Sequence, residues 1–365
     1  MKFSILRILA LFAISLTLII SCDSDDSSSD TGTAAARETQ MTHLYDNYII
    51  LLQQQHVNQA NDLINTSNAF TLNPTSVTLL EARDSWKAAF LTWKNIETFN
   101  IGPIQNAFLI PRVHTWPVSS TGIESRIMDA TVQNSDDVDI IGATIKGYAA
   151  IEYMLFNEND QVVIDQFTTG ATTTDRKAYL NALSENLASR ARESQDLWID
   201  FESDFKTNLE SGVNGNFNRV INAMVADLES IKGRKIEEVL NSSPTDITLF
   251  ENYRSQISKE AIKANLDAVY FTYTGDFNDI EGFGVEEYTS EVLNREDLNV
   301  ELQSAFTAAY STLNNMNDSL ENIAITDINQ LEVLKEDVQN IIRLLKVDFS
   351  SAASIVITFN DNDGD

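Results

Sequence analysis

The sequence predicts an all-α protein. Between residues 37 and 347 apolar side chains recur at steps of three and four, the spacing that aligns them on one face of a helix. Only 13 glycines and 5 prolines occur in 365 residues, whereas sheet-rich folds need many tight turns. The hydrophobic fraction of 43% is enough for a core. Long helices joined by short loops pack as antiparallel neighbours, so we expect helical bundles.

The first 21 residues are predicted to be the signal peptide of a lipoprotein. Two basic residues precede an apolar stretch over 8–20, as in secretory signals. This stretch ends in Ile19-Ile20-Ser21-Cys22, which is similar to a bacterial lipobox and predicts that Cys22 is acylated. Two or three acyl chains would hold the protein stably on a membrane. An ordinary signal peptide with an accidental cysteine is the alternative.

Residues 22–36 are predicted to form a flexible acidic tether. The segment contains mainly Asp, Ser, Thr, Gly and Ala, which cannot bury enough apolar surface to fold. A plain spacer is one interpretation. An acidic cluster directly after a lipidated cysteine also resembles the surface-export signal of some Bacteroidetes-type lipoproteins. We therefore expect a cell-envelope lipoprotein of the outer membrane, with surface exposure as an open alternative.

Several function classes conflict with the composition. With 54 acidic against 25 basic residues the formal net charge is −29, which repels phosphate backbones and excludes nucleic acid as a partner. Cys22 is the single cysteine, so thiolate zinc sites and cysteine nucleophiles are excluded from the folded body. The sequence also lacks the metalloprotease, serine-hydrolase and phosphate-loop motifs.

The helices can be placed in order along the chain. The clearest stripe runs from Leu79 to Ile96 on a helix starting near Thr75, and a second long helix spans 175–211, before Gly212. The other predicted helices cover 38–66, 137–156, 217–240, 247–273, 284–293, 298–323 and 327–349.

Two breaks organise this helical body. Three prolines within 103–117 exclude a continuous helix and predict a structured loop. The run Asn241-Ser242-Ser243-Pro244-Thr245-Asp246 stops one helix and caps the next. We therefore place the folded domain at 37–357, with helical halves over 38–240 and 246–350. Residues 358–365 form an acidic tail.

The segment Lys146–Phe156 carries the most informative carboxylate. Glu152 shares a helical face with Ile145, Tyr148 and Ala149. A carboxylate on an apolar stripe must pair with a cation, bind a metal or stay protonated, because burying it alone is costly. The alternative is that Glu152 reaches solvent at the edge of the stripe, or simply pairs with an arginine.

This segment resembles the imelysin motif Gly-x-His-x-x-Glu, with Gly147 and Glu152 in place and Ala149 at the histidine position. Three other stretches resemble the family. The first is the Trp-rich helix from Ser85-Trp86-Lys87 through Trp93, Glu97 and Phe99 to Gly102-Pro103. The second is the loop from Arg112 to Trp116-Pro117, followed by Gly122-Ile123-Glu124, and the third is the stretch from Thr358 to Asp365. The resemblance covers most of residues 38–365.

The resemblance implies two bundle-like halves with a site in the cleft between them. It also implies a link to iron-regulated uptake, to haem or metal binding, and to metallopeptidase activity. Alanine supplies no metal ligand, so the metal site and the peptidase activity do not carry over to Ala149. We expect a non-catalytic binding protein for iron, haem or another small ligand, whose metal binding Ala149→His would strengthen. The alternatives are an envelope interaction module with a decayed site and a metal-dependent peptidase.

In this arrangement Glu152 is expected to face the junction of the two halves. Arg112 is the expected cation beside it and His114 the second candidate, while Trp116 and Tyr153 would supply the flat walls of a small-molecule site. Two further histidines, His43 and His56, lie on the first helix and are expected to be solvated or lightly packed. Simple packing of all these residues in the interface is the alternative.

Overall fold

The structure of the protein, a computed structural model, describes residues 26–210 and 212–358. Helices dominate, and the only β contact among them is an isolated bridge between Phe277 and Ile280. The predicted all-α fold is confirmed. No helix in these ranges is long and apolar enough to cross a membrane. The predicted signal peptide, Cys22 and residues 359–365 lie outside the described residues.

The first ten helices precede residue 208. They are α1 (Asp26–Leu44), α2 (Ile50–Leu72), α3 (Ser76–Glu97), α4 (Pro103–Asn106), α5 (Leu109–Val113), α6 (Ser120–Met128), α7 (Ser135–Asp139), α8 (Gly147–Phe156), α9 (Asp160–Gln166) and α10 (Thr173–Thr207). A π-helical segment, Tyr45–Ile49, joins α1 to α2. Helices α2, α3, α8 and α10 pack against one another, and Ser184 Oγ on α10 donates to Ser67 Oγ on α2 at 2.9 Å.

Eight further helices follow. They are α11 (Asn216–Ser230), α12 (Glu238–Leu240), α13 (Ser258–Thr274), α14 (Val285–Glu287), α15 (Glu296–Asn315), α16 (Leu320–Thr326), α17 (Asn329–Arg343) and α18 (Ser350–Ala353). The π-helical segment Ile231–Glu237 makes α11 and α12 one continuous rod. This rod packs on α13 and α17, so it lies with the later helices although it precedes the predicted boundary at 241–246. One hydrophobic core extends through both groups.

The structure differs from the predicted elements at four places. Helix α1 begins at Asp26, so much of the predicted tether is helical. The predicted helices 137–156, 247–273 and 298–323 are each interrupted. The interruption of 247–273 is a turn at Phe250–Ile257, whose polar groups bond to distant helices instead of continuing the helical ladder. Tertiary contacts of this kind override local helix propensity.

The proline-rich loop folds as predicted, without a continuous helix. Pro103 occupies the first turn of α4, a position where its missing N–H costs nothing. After α5 the backbone becomes extended at His114. The loop thereby carries His114 and Trp116 across the end of α3.

Candidate functional site

Four charged residues meet in the interior between the two groups of helices. Glu251, in the turn before α13, accepts from Lys94 Nζ on α3 at 2.6 Å through Oε1. Its Oε2 lies 3.4 Å from Lys235 Nζ. Lys94 also pairs with Glu97, one turn further along α3. We call Lys94, Glu97, Lys235 and Glu251 the buried charge cluster, because at most 13% of each side chain is exposed.

The polar groups of the cluster are tied together by Asn265 and His114. Lys235 Nζ donates to Asn265 Oδ1 at 2.5 Å, and Asn265 Nδ2 donates to Glu97 Oε1 at 3.0 Å. His114 Nε2 lies 2.8 Å from Glu251 Oε1. The proline-rich loop, α3, the α11–α12 rod and α13 are therefore joined through one set of hydrogen bonds.

Lys94, Glu97 and Glu251 hold one another in their charged forms. Burial opposes ionisation of Glu251, but the ammonium groups of Lys235 and Lys94 hold its pKa well below its usual range. Burial likewise opposes the charge on Lys94, and Glu251 and Glu97 raise its pKa despite this. Burial lowers the pKa of His114, although Glu251 opposes the effect. At neutral pH the ionised Lys94, Glu97 and Glu251 therefore lie beside a neutral imidazole.

A cavity of about 580 Å³ opens beside this cluster. Trp116 also lines this cavity, and its ring lies under the Arg234 guanidinium at 4.3 Å. Arg234 also donates to the main-chain oxygen of Trp116. Asp227 lines the cavity and accepts from Thr98 Oγ1 at 2.5 Å, and burial raises its pKa to about 6. The cavity thus combines charged groups of both signs with one aromatic wall.

Glu152 lies at the junction of the two groups of helices, as the sequence predicts. It is 1% exposed, and its Oε1 accepts from the main-chain N–H of Ser255 at 3.0 Å and from Ser255 Oγ at 2.6 Å. Burial raises the pKa of Glu152 to about 7, although the Ser255 hydrogen bonds and the charge of Arg254 oppose this. It is not among the residues that line the cavity.

Arg112 is not the cation beside Glu152, and that prediction is wrong. Its guanidinium forms two hydrogen bonds with Glu193 on α10, at 2.7 and 3.0 Å. Arg112 lies on α5, which packs on α10, so its side chain meets an acidic residue of that helix. The cation whose charge acts on Glu152 is Arg254, from the turn before α13.

The other predicted site residues separate into two places. His114 and Trp116 line the cavity. Tyr153 lies outside it, with its hydroxyl donating to Glu124 at 2.9 Å and its ring under Arg254 at 5.3 Å. Ala149 is buried, at 2% exposure. The predicted flat walls therefore do not face each other, and only Trp116 serves as one.

The sequence predicts that His56 is solvated or lightly packed, and this prediction is wrong. It is fully buried, with Nε2 2.6 Å from the hydroxyl of Tyr148 on α8. Burial lowers its pKa to about 3, so the ring is neutral. His43 is half-buried, as expected for light packing, with Nε2 2.6 Å from the carbonyl oxygen of Gly275.

Sequence reasoning missed most of the cluster. Lys94 follows Phe90 by four residues and precedes Glu97 by three, so a charged pair on the buried face of α3 could have been recognised. Glu251 gave no such signal, because it was assigned to a continuous helix. Lys235 was likewise assigned to an ordinary helix, whereas it lies in the π-helical segment.

The cluster does not fit a metal ion. Among the described residues no group of three or more His, Cys, Asp or Glu side chains is arranged to hold one. Lys94 Nζ already lies between the carboxylates of Glu97 and Glu251, where a cation would have to bind. A metal ion would need to displace this ammonium group.

Replacing Glu152 by glutamine should change how stability depends on pH. The pKa of Glu152 is raised from 4.5 to about 7, so between these values the folded state holds a proton that the unfolded state has lost. Stability therefore falls as pH rises through this window. Glutamine can accept the same Ser255 hydrogen bonds without ionising. We expect Glu152→Gln to be more stable than the unaltered protein at pH 8 by roughly 2–3 kcal/mol, with little difference near pH 4.5.

Urea unfolding at several pH values measures this difference. The same substitution at the exposed Glu158 is the matched control. A difference between Glu152→Gln and the unaltered protein that stays constant from pH 4.5 to 8 would contradict the prediction.

The sequence of this chain is similar to a known protein family and to one curated protein. The family model described as Imelysin matches residues 45–346. Iron-regulated protein A from Synechococcus elongatus is 22% identical over 215 residues, which cover 56% of this chain and 55% of that protein. The match thus spans about half the length of this curated relative.

Two solved structures share the fold. A putative iron-regulated protein A precursor from Parabacteroides distasonis superimposes with a TM-score of 0.71 at 18% identity, covering 88% of this chain and 95% of that chain. An imelysin-like protein from Psychrobacter arcticum gives a TM-score of 0.72 at 17% identity, over 89% and 98% of the two chains. At these identities the likeness shows the fold alone.

Proposed function

Because the chain belongs to the imelysin family, we propose that it is a lipid-anchored, non-catalytic binding protein of the cell envelope. It takes up a small ligand in the cavity between the buried charge cluster and Trp116. The curated relative carries the name iron-regulated protein A, so the ligand class we propose is one linked to iron acquisition, such as a chelated iron or haem.

The observation that carries the proposal is the cavity itself. Charged groups are costly to bury, and this chain keeps four of them at the wall of one cavity, where Lys94 and Glu251 hold each other ionised. A concave site with a few convergent polar groups and an aromatic wall is what small-ligand sites share. Arg234, which forms no ion pair with a carboxylate among the described residues, supplies positive charge to the polar wall.

The same geometry favours a complexed ligand over a bare metal ion. The cluster carboxylates already pair with Lys94 and Lys235, and Ala149 supplies no ligand atom. The carboxylates of an anionic chelator would instead meet the Arg234 guanidinium, which donates planar, charge-assisted hydrogen bonds. The residues present therefore support capture of a complex and give no basis for a metal-dependent peptidase.

Calorimetric titration with ferric citrate, citrate alone, haem and zinc chloride tests the proposal. We expect ferric citrate or haem to bind with one-to-one stoichiometry. Arg234→Gln should weaken this binding about tenfold or more, because a charge-assisted hydrogen bond contributes roughly 1.5–3 kcal/mol. Arg126→Gln removes the same charge at an exposed position outside the cavity and should leave the affinity unchanged.

Two outcomes would contradict the proposed function. If none of the iron complexes binds, the alternative of an envelope interaction module with a decayed site is favoured. If zinc binds stoichiometrically at submicromolar affinity and this is lost in Glu152→Ala, a metal site is intact after all. Ala149→His is still expected to strengthen metal binding, although an imidazole at this buried position carries a packing cost.

The anchor is tested separately from the ligand. Cys22 is expected to carry acyl chains, so the mature protein should partition with membranes, while Cys22→Ser should remain unprocessed or be released in soluble form. Mass spectrometry of the mature protein decides this. An unmodified N terminus beyond Cys22 would contradict the lipoprotein assignment.

A further inference from the structure

A groove follows the accessible stripe of α11 and continues into the cavity. A second cavity of about 490 Å³ shares Asn100, Gln105, Ala223 and Ala226 with the first. Ala223 and Ala226 of α11 line both cavities, so the two volumes adjoin along the helix. Asn100 Oδ1 is buried beside this groove and has no hydrogen-bond partner among the described residues.

The far end of the groove already holds a piece of main chain. Asn218 Nδ2 donates to the carbonyl oxygen of Val356 at 3.0 Å, and the N–H of Val356 donates to Asn218 Oδ1 at 2.8 Å. The N–H of Thr358 donates to Asn222 Oδ1 at 2.7 Å. Two asparagine amides on α11 therefore bind an extended segment mainly through its backbone, with one side-chain bond from Thr358 Oγ1 to Asn222 Oδ1 at 3.0 Å.

These contacts fix the direction in which the segment runs. Val356 bonds to both Asn218 and Asn222, whereas the N–H of Thr358 bonds to Asn222. The segment therefore runs in the same direction as α11. Thr358 itself lines the groove. The chain that follows Thr358 is therefore directed along the groove towards Arg234 and the cavity.

The remaining chain is long enough to fill the groove. Residues 359–365 span about 23 Å when extended, at roughly 3.3 Å per residue. The helical rise from Asn222 to Arg234 is about 18 Å. An extended segment starting at Thr358 can thus reach the wall of the cavity.

Charge complementarity favours this segment as the occupant. Its sequence contains Asp361, Asp363 and Asp365 and no basic residue. Arg219 and Arg234 border the groove, and among the described residues neither forms an ion pair with a carboxylate. Both arginines can therefore meet the carboxylates of an acidic segment.

We propose that this groove is a binding site for an extended acidic peptide, and that its occupant is the chain's own C-terminal segment, residues 359–365. The aspartates face Arg219 and Arg234, and the asparagine contacts at Val356 and Thr358 set the register. One consequence rests on the proposed function: a ligand that binds at Arg234 competes with the docked segment. The docking itself does not depend on the identity of that ligand.

Disulfide trapping in the full chain tests the docking. In a Cys22→Ser background, Ala226→Cys is combined with Asn360→Cys. Asn360 follows Thr358 by two residues, about 6 Å of extended chain, and Ala226 follows Asn222 by four residues, about 6 Å of helix. The docked segment would therefore bring these two positions together. The control combines Lys232→Cys with Asn360→Cys. Lys232 lies further along the rod and donates to Gln339 on α17, away from the proposed path.

We expect the Ala226→Cys pair to oxidise about tenfold faster than the Lys232→Cys pair, since a disulfide needs Cα atoms within about 7 Å. Changing Asp361, Asp363 and Asp365 to Asn should slow the first reaction several-fold. Equal rates for the two pairs, or a rate that the three Asp→Asn changes leave unaltered, would overturn the proposal. Ligand titration is a separate measurement, so failure of the proposed function leaves this result intact.

Discussion

Gly147→Ala is expected to destabilise the protein by about 2–5 kcal/mol. Gly147 has a φ of +69°, in the left-handed region that alanine adopts only at a cost. A Cβ atom at this position would lie 2.0 Å from the main-chain oxygen of Val113, so the start of α8 and the proline-rich loop would have to separate. Urea unfolding at neutral pH measures the loss.

Gly142→Ala is the matched control for this prediction. Gly142 precedes the same helix by five residues, has a φ of −62°, and a Cβ atom there would meet nothing within 4 Å. Alanine at Gly142 should be neutral or slightly stabilising, because it restricts the unfolded chain. If the two substitutions have the same effect, close approach at Gly147 does not explain its role.

Gly147 shows why part of a motif can be retained in a chain that lacks the motif histidine. Its backbone approaches Val113 directly before His114, and His114 then bonds to Glu251 in the buried charge cluster. The glycine therefore positions the proline-rich loop against α8 whether or not a metal is bound. We expect Gly147→Ala to weaken ligand binding as well, because the loop carries Trp116.

The helical fold was predictable because it depends on short-range patterns. The stripe from Leu79 to Ile96 needed only a count of apolar spacings, and α3 has the predicted start at Thr75 as its cap. The interruption at Phe250–Ile257 was not predictable in this way. That turn exists because Glu251 and Ser255 bond to residues more than 100 positions earlier in the chain.

Residues of the candidate site were predictable only where the pattern that indicates them lies within one short segment of the sequence. The three prolines of the loop indicated that His114 and Trp116 belong to a structured segment, and the apolar stripe predicted that Glu152 is buried. Arg112 was assigned to the wrong carboxylate because the sequence does not show that α5 packs on α10. Pairing between distant charges follows from helix packing, which spacing along one helix does not determine.

Lys94→Met is expected to destabilise the protein by about 3–5 kcal/mol, the usual cost of removing one partner from a buried ion pair. The side chain of Lys94 is 1% exposed, and its ammonium group pairs with both Glu97 and Glu251. Methionine fills a similar volume but leaves two buried carboxylates with Lys235 as their remaining ammonium partner. These carboxylates would take up protons more readily, so the loss should shrink as pH falls from 7 to 5.

Lys87→Met tests whether burial is the cause. Lys87 is on the same helix and pairs with Glu260 at 3.4 Å, but the two side chains are 41% and 39% exposed. Exposed pairs contribute about 0–1 kcal/mol, so this variant should unfold close to the unaltered protein. Adding Glu251→Gln should recover part of the Lys94→Met loss, because it removes one of the two carboxylates that Lys235 alone cannot balance. If Lys87→Met costs as much as Lys94→Met, or Glu251→Gln worsens the loss, the cluster is not the balanced unit that its geometry indicates.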